Sequence, residues 1–305
     1  MKYIKVFGQH SEYEAAKSGL ALPNVSHCVS ENDVHYNPIP PMNIIRYNAS
    51  SKLNETTSSI DLGKLHINAF SGTSGQLTVI SHTFENGIGT IEFDDDIITI
   101  GDYAFYNCTG LTNVEIPSSV TNIGDGAFNE CTGLTSIVIP DNVTTIGLST
   151  FSNCYSLTNL MIPNSVITIG QGGFASCTGL TSVEFGSGVT SIGIAAFQSC
   201  NSLTSVTIPN NVINIGQAMF YNCTGLTSVE IGNGVTSIGG QAFQGCINLS
   251  IITSHIMSAP SVNSGTFASV KANGTLYVPQ GSSGYETWMN NQGNLGTYNW
   301  TKVEQ

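Results

Sequence analysis

An Ile-Gly pair returns every 23 residues, at Ile100, Ile123, Ile146, Ile169, Ile192, Ile215 and Ile238. Three other residues keep the same beat. They are Phe105, Phe128, Phe151, Phe174, Phe197, Phe220 and Phe243; Cys108, Cys131, Cys154, Cys177, Cys200, Cys223 and Cys246; and Leu111, Leu134, Leu157, Leu180, Leu203, Leu226 and Leu249. Ile88, Ile91 and Phe93 fill the slots later held by Leu111, Val114 and Ile116, so the register extends backward. A unit this short has too little apolar surface to fold alone. Stacked on its own copies it buries a continuous core, which makes the chain a solenoid.

Within a unit, Val114 and Ile116 lie two apart with Glu115 between them, which is strand alternation. Pro117 ends that strand because it has no N–H to donate. Val120 and Ile123 mark a shorter extended segment, and Gly124 allows a corner. The Ala-Phe-x-x-Cys stretch has the spacing of one helical or 3₁₀ turn, with Phe and Cys facing inward. The spacing predicts a mostly β, curved solenoid with short helical turns. Its coils stack at about 4.8 Å, so eight strands make a rod of about 35 Å.

The unit L-T-S-V-x-I-P-x-x-V-T-x-I-G-x-x-A-F-x-x-C over residues 86–254 resembles the BspA-like, or Treponema pallidum type, leucine-rich repeat of bacterial surface proteins. The resemblance implies a leucine-rich-repeat solenoid. It also implies a cell-surface or secreted binding protein, adhesin-like and non-enzymatic, whose partner is a protein or a glycan. No catalytic motif or cofactor comes with it. Function therefore has to be read from sites rather than from the fold.

Only 9% of residues are charged, and the net charge is −12. That balance disfavours nucleic acid, which attracts basic stripes, and anionic lipid likewise. No run of 18 apolar residues spans a membrane, and the opening "MKYIKVFGQHSEYEAAK" lacks the apolar stretch of a secretory leader. No G-x-S-x-G, phosphate loop or dinucleotide fingerprint occurs; "GQGGF" at Gly170–Phe174 falls inside the repeat. Seven of the 8 cysteines sit one per coil and are expected as buried free thiols, with some disulfides the alternative. Cys28 is the eighth. His27, Cys28 and His35 across a hairpin form a conceivable metal site, but ordinary strand residues are expected there. Glu92–Asp96 gathers four acids that offer oxygen ligands to calcium, though a solvated acidic turn is the simpler expectation.

Three regions are expected: a small α+β N-terminal module with a β-rich cap over residues 1–85, the solenoid over 86–254, and a degenerate repeat with cap over 255–305. "YIKVF", "NVSHCV", "DVHYNP", "MNIIRYNA" and "QLTVISHTF" read as strands, and "SEYEAAKSGL" as a helix capped by Ser11. "LPNVSHCV" and "DVHYNP" also resemble N-terminal segments of Bacteroides-type surface and phage-associated proteins, which implies a phage-type structural component as an alternative. At the other end, "GTLYVP" repeats the strand-proline signature and "SGYETWMNN" reads as a helix. "YNWTKVE" reads as a last strand, with Trp288 and Trp300 closing the stack.

The outward slot of the main strand varies from coil to coil: Glu92, Glu115, Val138, Met161, Glu184, Thr207, Glu230 and Thr253. The preceding outward slot holds Asn113, Ser136, Asn159, Ser182, Ser205, Ser228 and Ile251. Val138 and Met161 between Glu115 and Glu184 make a small apolar patch with an acidic rim. With Thr207 and Glu230 they form the candidate partner-binding surface. The sequence leaves the oligomeric state open.

Overall fold

The structure, a computed structural model, describes residues 3–4, 29–30, 43–49, 52–53, 55–56, 65–66, 70–72, 75–263, 265–290 and 294–305. His27, Cys28, His35 and the expected helix over residues 11–19 lie outside the described residues. Contacts divide the chain into Met1–Pro41 and Met42–Gln305. In the first unit, Tyr3–Ile4 pairs antiparallel with Val29–Ser30.

The second unit is a β-solenoid whose coils are 23 residues apart in their pairing, as in Ser205↔Ser228 and Ile215↔Ile238. Its long strands run parallel in a column. Asn159–Ile162 pairs with Ser182–Phe185, and Ser205–Ile208 is followed by Ser228–Ile231, Ile251–Ser254, Thr275–Val278 and Thr301–Glu304. The short strands form a second column, Ile97–Ile100, Asn122–Ile123, Thr145–Ile146, Thr168–Ile169 and Ser191–Ile192. Asn214–Ile215, Ser237–Ile238 and Ser261–Val262 continue it.

The third side departs from expectation in detail. The Ala-Phe-x-x-Cys stretch keeps i→i+3 bonds, Tyr106 N–H to Tyr103 O at 3.0 Å and Cys108 N–H to Phe105 O at 3.1 Å. It does not continue as a helix, because left-handed residues bracket it: Tyr103 (φ 58°) and Asn107 (φ 55°) in one coil, Ala195 (φ 55°) and Ser199 (φ 59°) in another. This aims the Phe N–H at the next coil. Phe128 N–H reaches Thr150 O at 2.8 Å and Phe174 N–H reaches Ala196 O at 2.8 Å. A third column of coil-to-coil hydrogen bonds results.

The glycine of the Ile-Gly pair serves a different purpose from the corner expected of it. None of these glycines has a positive φ. Instead, a Cβ on Gly170 would sit 2.6 Å from the carbonyl carbon of Gly147 in the coil before. The coils approach too closely there for any side chain.

The core follows the sequence period. Phe105, Phe128, Phe151, Phe174, Phe197, Phe220 and Phe243 are all fully buried. Their rings stack at 4.9 to 5.7 Å. Phe267 extends the column at 5.5 Å, and Trp288 closes it at 5.3 Å. Trp288 sits on the helix Glu286–Asn290 and donates its indole N–H to Pro260 O at 2.9 Å. Trp300 covers Gly274 and donates to Lys271 O at 2.8 Å. Both tryptophans therefore close the stack.

The first coils are built differently from the rest. The strand Ile44–Ala49 runs antiparallel between Ile88–Phe93 and Leu111–Glu115, bonded to both. The slots of Ile88 and Leu111 therefore do not stack directly, as the repeat register suggested. On the short-strand side the same two coils do pair directly, Thr99↔Asn122. There the strand Phe70–Gly72 lies antiparallel on Ile97–Ile100 from the outer side. Val79–Glu85 completes the first sheet beside Ile88–Phe93. Tyr47 on the inserted strand is fully buried over Gly89, where a Cβ would meet its ring at 1.9 Å. Its hydroxyl accepts from Leu53 N–H at 3.0 Å and lies 2.8 Å from His82 Nε2.

Removing one ring from the middle of the column leaves a cavity that neighbours bonded on three sides cannot collapse into. Phe174→Ala is expected to cost about 3–5 kcal/mol in chemical denaturation. A loss of only a few tenths would contradict the stacked column.

Candidate functional site: the long-strand face

Each long strand points alternate side chains inward, and the residues between them face solvent. Met161 and Glu184 are direct cross-strand neighbours, as are Thr207 and Glu230. Leu111–Glu115 ends in Glu115, paired in register with Arg46 of the inserted strand. Val138 occupies the coil between Glu115 and Met161. Its segment is not paired as a strand with either neighbour. That coil is held in the stack by Thr135 N–H to Thr112 O at 3.0 Å and Thr158 N–H to Thr135 O at 3.4 Å.

Val138 (77% exposed) and Met161 (68%) are the two most exposed large apolar side chains, ahead of Ile80 (62%). Single exposed apolar residues are ordinary. Two in adjacent coils, in the same outward row, form a patch. A polar row runs beside it. Asn113 Nδ2 donates to Ser136 Oγ at 2.9 Å, and Ser182 Oγ donates to Asn159 Oδ1 at 2.8 Å. A third row of threonines is tied to the backbone, with Thr181 Oγ1 on Thr158 O at 2.9 Å and Thr227 Oγ1 on Thr204 O at 2.9 Å.

The charges are acidic with two local counterparts. Arg46 Nη1 lies 3.8 Å from Glu115 Oε2. His255 Nε2 lies 2.7 Å from Glu230 Oε1, and Thr207 Oγ1 donates to Glu230 Oε2 at 3.2 Å. Glu184 has no ion pair among the described residues. Arg46 and His255 escaped the sequence reading for a reason of distance. Arg46 arrives on a strand from outside the repeat, and the alternation of "IIRYNA" identifies a strand without identifying its neighbours.

The acidic turn Glu92–Asp96 uses its carboxylates internally. Asp94 Oδ1 accepts from Thr78 N–H at 2.8 Å, which holds its carboxyl below the usual range. Asp95 Oδ1 accepts from Asp96 N–H at 2.8 Å, and Ser81 Oγ donates to Glu92 Oε2 at 3.3 Å. Among the described residues, no group of three or more His, Cys, Asp or Glu is placed to hold a metal ion.

The seven ladder cysteines are free thiols buried in the core. Each after the first donates its S–H to the phenylalanine carbonyl of the previous coil, from Cys131 to Phe105 O at 3.0 Å through Cys246 to Phe220 O at 3.1 Å. Burial pushes the thiols up, to about 12 for Cys108, Cys177 and Cys223.

Stacked parallel coils with an inward Leu, Phe and Cys period define a leucine-rich-repeat solenoid. The sequence matches the BspA type leucine rich repeat region in 6 copies over residues 78–204 and 190–300. The chain belongs to that family. It is similar to a leucine-rich repeat protein from Bacteroides ovatus, at 28% identity and a TM-score of 0.53, over 67% of this chain and 51% of that one. It thus spans about half the length of that relative. It is also similar to a leucine-rich repeat protein of T. pallidum, at 30% identity and a TM-score of 0.50, over 52% of this chain and 76% of that one. Among curated proteins, none matches the chain. Among the described residues, no helix is long and apolar enough to cross a membrane.

Two outcomes follow for the thiols. The ladder cysteines should resist iodoacetamide in native buffer and react fully in denaturant; rapid native labelling of the repeat would contradict their burial. A folded pKa raised from 9.0 to about 12 also makes stability depend on pH. Below pH 9 both states keep the proton and the contribution is intact. From about 9 to 12 only the unfolded chain loses it, so stability should fall across that window. Denaturant midpoints that stay flat from pH 9 to pH 11 would contradict it.

Proposed function

We propose that the protein is a non-enzymatic, adhesin-like binding protein of the cell surface. In this reading it engages a protein or glycan partner with its long-strand face, through Glu115, Val138, Met161, Glu184, Thr207 and Glu230. The observation that carries the proposal is the pairing of Val138 and Met161, the two most exposed large apolar side chains, in adjacent coils of one outward row. Structural slots in this chain repeat; this row changes from coil to coil, as a recognition surface on a repeat scaffold does. Apolar anchors inside a polar and acidic surround have the anatomy of a contact site. Membership in a family of repeat scaffolds supports the same reading.

Met161→Glu places a charge at the centre of the patch without touching the core. It is expected to abolish retention of the native partner in pull-downs from the surface the source cell meets, with an unchanged denaturation midpoint. Retention at full strength would move the binding surface elsewhere. For location, protease treatment of intact source cells should release repeat peptides while cytosolic controls stay whole.

A further inference from the structure

We propose that the occupant of this face is an extended peptide segment with basic side chains at positions i and i+4 around an apolar side chain at i+2. It lies along the stacking axis over Glu115, Val138, Met161 and Glu184. This rests on the reading of the long-strand face as a binding surface, and adds the chemistry of what binds.

The argument begins with spacing. Glu115, Val138, Met161 and Glu184 occupy the same slot in four consecutive coils, 23 residues apart. Coils stack at a strand spacing, so the two carboxylates stand about 14 Å apart with the apolar pair centred between them. In an extended chain, side chains on one side repeat about every 6.7 Å, which places i and i+4 about 13.4 Å apart with i+2 midway. The row and the peptide therefore share a period: acid, apolar pair, acid against base, apolar, base. A helix laid along the same row needs about ten residues to bridge that distance, so its intervening turns meet no matching groups.

Charge points the same way. The chain carries 20 acidic and 8 basic residues, and Arg46 is the basic side chain seen against this row. Its contact with Glu115 is long, 3.8 Å, between side chains 40% and 65% exposed, and such pairs are weak enough to be displaced. Glu184 has no ion pair among the described residues. The adjoining row of Asn113, Ser136, Asn159 and Ser182 supplies amides and hydroxyls that can meet the main-chain groups of an extended peptide. The binding row holds no aromatic ring to serve as a sugar platform, which favours peptide over glycan.

The test uses the full chain and the synthetic peptide acetyl-Lys-Ser-Leu-Ser-Lys-amide, followed by fluorescence anisotropy or chemical-shift titration. The expected result is saturable binding that weakens as salt rises. A peptide of the same composition with both lysines at one end should bind more weakly. Met161→Glu should abolish binding, and Glu184→Gln should weaken it about two- to fivefold, the size of an exposed ion pair. Arg46→Gln should strengthen it, because the partner's base then meets Glu115 without a competitor. A general loss of structure cannot produce that gain. Absence of binding, equal binding of the rearranged peptide, or weaker binding by Arg46→Gln would overturn the proposal. Loss of the native partner by Met161→Glu with no peptide binding would overturn the peptide class alone and leave the face as a binding surface. Specific peptide binding with undiminished partner retention would support the peptide site and overturn the face's role toward that partner.

Discussion

The main-chain hydrogen bond from one coil to the next is the interaction on which everything else depends. It recurs on all three sides of the coil: between long strands, between short strands, and from each buried phenylalanine N–H. Three columns fix both the separation and the rotation of successive coils. Only with both fixed can a side chain at one slot meet its own copy at a constant distance. The phenylalanine stack, the thiol row and the outward face are consequences of that register. They are also why one side chain type can serve at a slot in every coil.

The thiols illustrate how the register solves a polar problem inside an apolar core. A buried carbonyl without a donor carries a desolvation cost. The turn leaves the phenylalanine carbonyl within reach of the next coil's cysteine, and a thiol is small and apolar enough to fit there while still donating weakly. Thr150 and Thr266 do the same for Gly124 O and Gly239 O, at 3.0 and 3.1 Å. A reactive role for these cysteines is the opposite of what their setting provides. Reactivity needs thiolate and access, and burial removes both.

What the sequence revealed was whatever obeys the period. The inward Leu, Phe, Cys and Ile slots, the strand-proline signature at Thr275–Val278 and the closing tryptophans were all legible, since each is a local pattern or its repetition. Two kinds of feature were not. The glycine of the Ile-Gly pair looked like a turn residue, but its reason lies in the neighbouring coil, where Gly147 approaches Gly170. The strand Ile44–Ala49 was visible as a strand and invisible as an insertion, because strand alternation names a face and never a neighbour. The outward row was legible as variable positions. Its electrostatics were not, since Arg46 reaches it from that inserted strand and His255 from the end of the repeats.

The inserted strand separates two ways of assembling one molecule. Every other coil docks on a partner 23 residues away, a separation at which closing the chain costs little and one coil can template the next. Ile44–Ala49 needs two partners at once, and its link to the second spans 64 residues at Asn48 and Thr112. It can complete its pairing only after Ile88–Phe93 and Leu111–Glu115 have been made and brought alongside. On a ribosome, where the chain emerges from its N-terminus, this segment is synthesised before either partner and bonded after both. The oldest part of the solenoid in synthesis is thus its youngest in assembly, and the seal on the first coil records that the coil behind it has already formed.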